Sequence, residues 1–89
     1  MSSGWRAKLG PRALKTLRKL DHTTSLRILR FIDQLDGTDN PRARGEALVG
    51  PRAGLWRYRV GDYRLICELQ NQRLVVLVVE IGHRSDIYR

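Results

Sequence analysis

The chain is predicted to fold as an α+β domain of order β-α-α-β-β-β, a helix hairpin packed on a small antiparallel sheet, and three observations predict it. Two runs between residues 11 and 36 repeat their apolar residues at three- and four-residue spacing, the period of an amphipathic helix. Four shorter runs, at 5–9, 55–60, 63–69 and 73–81, either alternate apolar with polar residues or are apolar throughout, as strands do. Gly10-Pro11, Asp36-Gly37 and Gly61-Asp62 punctuate these runs with residues suited to turns. A chain of 89 residues can close one core but cannot divide its apolar residues between two, so residues 1–89 are expected to form a single domain.

Trp5, Arg6, Ala7, Lys8 and Leu9 alternate with period two and read as a first strand with one buried face. Pro11 suits a first helical position, where its missing N–H has no partner to lose. In the helix that follows, Leu14, Leu17 and Leu20 recur every third residue and Ala13 joins Leu17 at i+4, while Arg12, Lys15, Arg18 and Lys19 fill the remaining arc. Asp21 to Ser25 supply turn and N-cap residues before a second helix, in which Leu26, Leu29, Ile32 or Phe31, and Leu35 fall on one side. So short a connection makes the pair an antiparallel hairpin. Thr38 to Gly54 holds two prolines, three glycines and Arg42, Arg44 and Arg52, and reads mostly as loop, with Leu48 and Val49 expected to anchor its middle. Arg73 to Ile81 is apolar on both faces and is expected to lie centrally, ended by Gly82, with the two preceding strands forming a hairpin.

Seventeen Lys and Arg against nine Asp and Glu give a formal charge of +8. Such a balance self-repels in the free chain and favours a polyanionic or acidic partner, nucleic acid foremost. Cys67 is the single cysteine, so no intramolecular disulfide forms and a thiol buried as a small hydrophobe in a reducing compartment is expected. No apolar stretch reaches the ~18 residues of a membrane span and Met1-Ser2-Ser3-Gly4 has no signal-peptide core, so a soluble, cytoplasmic protein without membrane contact is expected. His22 and Cys67 offer no metal-ligand spacing, and no glycine-rich phosphate loop or nucleophile motif is present.

If Gly61 and Asp62 are the two residues of a tight hairpin turn, Val60 pairs with Tyr63, Arg59 with Arg64, Tyr58 with Leu65 and Arg57 with Ile66. One face then carries Trp56, Tyr58, Val60, Tyr63, Leu65 and Cys67, suited to packing against the helices. The other gathers Arg57, Arg59 and Arg64. Like charges directly opposite each other on a sheet cost a few tenths of a kcal/mol to about 1 kcal/mol, so the cluster calls for an anion. Arginine grips phosphate in bidentate fashion and stays charged, which suits an RNA backbone. Pairing with Glu46, Glu68 or Asp86 is the competing use of the same side chains. His83, Arg84 and Tyr88 follow the strand-ending glycine, and His83 is a conceivable general base.

Ala13 to Asp21, Leu55 to Arg64, and Gly82-His83-Arg84 through Ile87-Tyr88 resemble, in order and across nearly the whole chain, the RelE branch of the RelE/ParE toxin superfamily. The resemblance implies a RelE-like fold and cleavage of messenger RNA in the ribosomal A site without metal or cofactor. In that reaction the ribose 2′-hydroxyl attacks the adjacent phosphate and leaves a 2′,3′-cyclic phosphate. Carried over by position, Arg64, Arg84 and Tyr88 form the catalytic set, with Arg57, Arg59 and His83 contacting RNA. Arg57 and Arg59 stand where the best-known member has lysine, and arginine resists deprotonation, so they clamp phosphate rather than act as base. Tyr88 could serve as base only if the neighbouring cations lower its ordinary pKa of about 10. The resemblance also implies an acidic RelB-like antitoxin, with operator DNA bound only through the toxin–antitoxin complex. A ParE-like toxin that inhibits DNA gyrase without nuclease activity is the alternative within the same fold.

Overall fold

The computed structural model describes residues 4–84. The chain runs β1 (Arg6–Leu9), α1 (Pro11–Lys19), α2 (His22–Leu35), β2 (Glu46–Ala47), β3 (Trp56–Val60), β4 (Tyr63–Gln70) and β5 (Val75–His83), with 3-10 turns at Pro41–Ala43 and Gly50–Arg52. Pro11 opens α1 as expected, and the Asp21 carboxylate caps α2 by accepting from the Thr24 backbone N–H at 3.1 Å and the Thr24 hydroxyl at 2.6 Å. Those hydrogen bonds, the hydroxyl's first, hold the Asp21 carboxyl below its ordinary pKa.

Two helices pack on a five-stranded sheet of order β1-β5-β4-β3-β2. The sheet is antiparallel from β2 to β5, and β5 lies inside it, as its two apolar faces required. β1 joins β5 in parallel, Arg6 opposite Val75 and Lys8 opposite Leu77. A parallel neighbour needs a long connection, and both helices and the hairpin lie between these two strands. On its free edge β1 is covered by the chain after α2: Trp5 N–H donates to Thr38 O at 2.8 Å, Gly37 N–H to Trp5 O at 2.6 Å and Ala7 N–H to the Asp36 carboxylate at 3.0 Å.

The core lies between the helices and one pleat face, where Ala13, Leu17, Ile28, Phe31, Ile32 and Leu35 meet Tyr58, Leu65, Cys67, Val76, Val78 and Ile81. The buried stripe of α2 is 28/31/32/35, while Leu26 and Leu29 stay 38% and 41% exposed. The leucines expected on the core side thus flank it, because Ile28, Phe31, Ile32 and Leu35 follow the i, i+3, i+4, i+7 spacing and centre the stripe. Burial pushes the Cys67 thiol up to about 12. Between β4 and β5 the register shifts at Ile66/Cys67, leaving Val79 as an extra residue in β5. β5 continues through Gly82 to His83, one step past the glycine expected to end it.

The segment 38–54 is tied down by aromatic residues rather than by its own valine. Val49 is 83% exposed and anchors nothing, whereas Leu48 is half-buried with its N–H on Leu55 O at 2.9 Å. Pro41 is buried and its carbonyl accepts the Tyr58 hydroxyl at 2.6 Å. The Arg42 guanidinium sits 5.9 Å from the ring centres of both Trp5 and Trp56. Among the described residues, no helix is long and apolar enough to cross a membrane.

Candidate nucleic-acid interface

The β3–β4 hairpin turns at Gly61-Asp62 with the expected register, Val60 opposite Tyr63, Arg59 opposite Arg64 and Arg57 opposite Ile66. Gly61 has φ +60 at the first turn position, which a two-residue II′ turn assigns to glycine. Because paired residues share a face, Arg57, Arg59 and Arg64 stand together on the side of the sheet away from the helices.

The three arginines differ in freedom. Arg64 is buried, at 7% exposure, its Nη1 donating to Tyr63 O at 3.2 Å and Gly61 O at 3.4 Å. Its Nε is enclosed with no hydrogen-bond partner among the described residues, a donor that ordinarily costs about 1–3 kcal/mol or more to leave unmet. Arg57 is ion-paired with Glu46, its side chain 12% exposed against 56% for the carboxylate. Arg59 is exposed. The Arg57 hydrogen bond and charge, then the more distant Arg59 and Arg64, hold the Glu46 carboxyl below its ordinary pKa.

β2 pairs only with Trp56 and Arg57 of β3. Beyond it a concavity of about 400 Å³ opens, lined by Arg44, Gly45, Glu46, Arg57 and Arg59 with Phe31 and Tyr58. Gly45, at φ +78, lets β2 lie against β3: a Cβ there would come within 2.4 Å of Arg57 O. Arg44 is fixed by its carbonyl accepting from Trp56 Nε1 at 2.8 Å, by Nη1 donating to Gln34 at 3.1 Å and by its guanidinium 4.7 Å from the Phe31 ring centre. Arg44 and Glu46 join a site that the sequence placed in a loop. The signal for them was the glycine between them, whose positive φ turns the chain onto β3.

The other expected site residues lie at the end of the sheet. Arg84 is exposed, its N–H donating to Asp62 O at 2.8 Å, so it stands beside the hairpin tip. His83 pairs with Tyr63, the rings edge to face at 5.4 Å, while Arg64 pairs with Gly82. The pleat therefore sets His83 on the Tyr63 side of the strand and Arg64 on the other. Tyr88 and Asp86 lie outside the described residues. Of the two acids weighed as arginine partners that lie among the described residues, Glu46 pairs with Arg57, while Glu68 accepts from Gln70 at 2.6 Å. Among the described residues no three His, Cys, Asp or Glu side chains group to hold a metal ion. The arrangement sets an exposed cation, Arg59, beside two largely enclosed and held ones, Arg57 and Arg64, a group able to bind phosphates and to stabilise negative charge developing on one of them.

Residues 7–88 match the family described as the ParE toxin of type II toxin–antitoxin systems, parDE. Toxin RelG of Mycobacterium tuberculosis is 31% identical over 77 residues, covering 83% of this chain and 88% of that protein. Among solved structures, the toxin–antitoxin complex RelBE2 of M. tuberculosis contains a chain that superposes with a TM-score of 0.81 at 24% identity, over 93% of this chain and 94% of that one. The archaeal RelE–RelB complex of Pyrococcus horikoshii gives 0.74 at 28% identity over 97% and 99%, and the isolated RelE toxin of E. coli 0.71 at 22% identity over 96% and 92%. Sequence match, sheet order and helix placement agree, and the chain belongs to the RelE/ParE superfamily of type II toxin–antitoxin toxins.

Proposed function

We propose that this toxin is a ribosome-dependent endoribonuclease that cleaves messenger RNA in the A site, held inactive by an acidic RelB-like antitoxin. The observation that supports this reading is the gathering of Arg57, Arg59 and Arg64 on one sheet face, with Arg64 held by the carbonyls of its own turn and its enclosed Nε without a partner among the described residues. The 2′-oxygen of one ribose forms a bond to the adjacent phosphorus as the bond to the 5′-oxygen of the next nucleotide breaks. The products are a 2′,3′-cyclic phosphate and a free 5′-hydroxyl. One proton leaves the 2′-hydroxyl, another reaches the departing 5′-oxygen, and negative charge grows on the non-bridging oxygens between.

Arg64 stabilises that charge, since a pre-positioned cation needs little reorganisation as the reaction proceeds. Arg59 takes a flanking phosphate, and Arg57 exchanges the Glu46 carboxylate for phosphate. His83 contacts RNA at the end of the sheet. Proton transfer is assigned to Tyr88 with Arg84 as its neighbouring charge, on the resemblance of the C-terminal motif. Operator DNA is bound only through the antitoxin complex.

Primer extension on a defined message in a reconstituted translation system, with a ribosome-free control, tests this. Wild type should cut within A-site codons only when ribosomes are present. With each variant verified as folded by circular dichroism, Arg64→Ala should cut about 10²–10³-fold more slowly, the loss typical of removing one charge-stabilising donor, and Tyr88→Phe about 10²–10⁴-fold more slowly, the usual contribution of a proton-transfer group. Full activity in both would overturn the site. The matched family description names ParE, so an intact message with gyrase supercoiling inhibited would replace the nuclease reading with that one.

A further inference from the structure

On the same sheet face as the three arginines, but at its opposite end, a groove of about 610 Å³ is lined by Arg6 and Lys8 of β1, Gln70 of β4, Arg73, and Val75 and Leu77 of β5. Register fixes the arrangement: Arg6 lies beside Val75, Lys8 beside Leu77, and Gln70 across from Val75. Arg6, Lys8 and Arg73 are exposed and none of them forms an ion pair among the described residues. The groove thus sets half-buried Leu77 and the edge of Val75, 8% exposed, between three cations, and the one acid beside it, Glu68 across from Leu77, accepts from Gln70 and forms no ion pair among the described residues.

The turn that joins β4 to β5 stands at the same end of the sheet and contributes Arg73 to the groove. Leu74, between Arg73 and Val75, has φ +54 and is 38% exposed, and among the described residues it is the one non-glycine with positive φ. A bulky side chain in this left-handed region is a strained choice where glycine would fit without penalty, and such strain gathers where a side chain has a task. Here it keeps an apolar side chain partly in water next to the cationic groove.

We infer that this groove is where an acidic, amphipathic segment of the antitoxin docks, its carboxylates on Arg6, Lys8 and Arg73 and its apolar side chains over Val75, Leu77 and Leu74. A phosphodiester backbone would satisfy the cations but gain nothing from the aliphatic side chains, so a peptide matches the surface better than RNA. From Arg64 to Gln70 along β4 is six residues, ~20 Å at the rise of an extended strand. The anchor therefore lies well away from the arginine cluster, and grip on the antitoxin is separable from action on RNA. This inference rests on membership of a toxin–antitoxin pair and not on the nuclease reading.

The test measures binding of the purified cognate antitoxin chain by calorimetry to wild type, Lys8→Glu/Arg73→Glu, Leu74→Gly, and Lys15→Glu/Lys19→Glu on the back of α1, which carries the same change in net charge. The groove double variant should bind at least tenfold more weakly. Leu74→Gly should bind severalfold more weakly while melting no lower than wild type, because glycine relieves the strained turn. The α1 variant should stay within threefold. Either groove variant binding within twofold of wild type, or the α1 variant losing as much affinity as the groove pair, would overturn the assignment. Loss of RNA cleavage in Lys8→Glu/Arg73→Glu with antitoxin affinity intact would assign the groove to RNA instead. Because affinity is read directly, a wild-type protein that cuts no message would leave the comparison valid.

Discussion

Arg59→Gln should make the protein more stable and a poorer RNA binder, and the opposite signs are the substance of the prediction. Arg59 faces Arg64 directly across the hairpin. Arg57 is taken up with Glu46 and Arg64 is 7% exposed, whereas Arg59 is exposed and reaches solvent. Glutamine keeps most of the stem and removes the charge, so the repulsion between directly opposed like charges, a few tenths of a kcal/mol to about 1 kcal/mol, is relieved. For a domain of this size 1 kcal/mol moves Tm by about 4–8 °C, so a rise of about 2–4 °C corresponds to half of that. Binding should move the other way. One lost phosphate contact lowers the slope of log affinity against log salt by about 0.7 for single-stranded RNA. At low salt a lost charge-assisted contact of about 1.5 kcal/mol corresponds to roughly tenfold in Kd. Thermal denaturation followed by circular dichroism gives the first quantity. Fluorescence anisotropy with an oligonucleotide carrying 2′-deoxy substitution at the scissile position, titrated at several salt concentrations, gives the second. A lower Tm would refute the claim that Arg59 is held against electrostatic cost, and an unchanged salt slope would refute its role as a phosphate contact.

Ile28→Ala, at a fully buried site, should cost about 2–5 kcal/mol, whereas Leu29→Ala, 41% exposed, should stay near 0.5 kcal/mol; urea denaturation of the two separates the buried face of α2 from its flank. The Glu46 carboxyl should titrate below its ordinary value of 4.5 in an NMR pH series, and Arg57→Gln should move it upward. Since the folded-state pKa is the lower one, the contribution of this pair is present above the unfolded glutamate value and is lost as pH falls through the folded one. Cys67, pushed up to about 12 from an ordinary 9.0, should resist thiol reagents at pH 8 in the folded protein and react on unfolding. Its linkage has the other sign, so stability is untouched below pH 9 and falls as pH rises from there toward 12, which alkaline melts compared with Cys67→Ala would show.

The sequence by itself determined what local chemistry dictates. Gly61-Asp62 set a two-residue turn, the turn set the register, and period two then placed Arg57, Arg59 and Arg64 on one face without reference to any other part of the chain. Pro11 and Asp21 marked the helix starts for equally local reasons, an absent N–H and a carboxylate within reach of Thr24. Tertiary structure decided what depends on distant partners. The direction of β1 follows from pairing with Val75 to Val78, which residues 5–9 do not encode. Leu26 and Leu29 are as apolar as Ile28, but the i, i+3, i+4, i+7 spacing of Ile28, Phe31, Ile32 and Leu35 centres the stripe, and packing on the sheet leaves the two leucines at its flank. The loop after α2 is held by Tyr58, Trp5 and Trp56 from other elements, so its own Val49 was a poor guide. Glu46 meets Arg57 only because Gly45 lets a two-residue strand close on β3. Periodicity and turn residues report which way a side chain faces relative to its own strand or helix; which neighbour it meets there depends on contacts that the folded chain alone brings together.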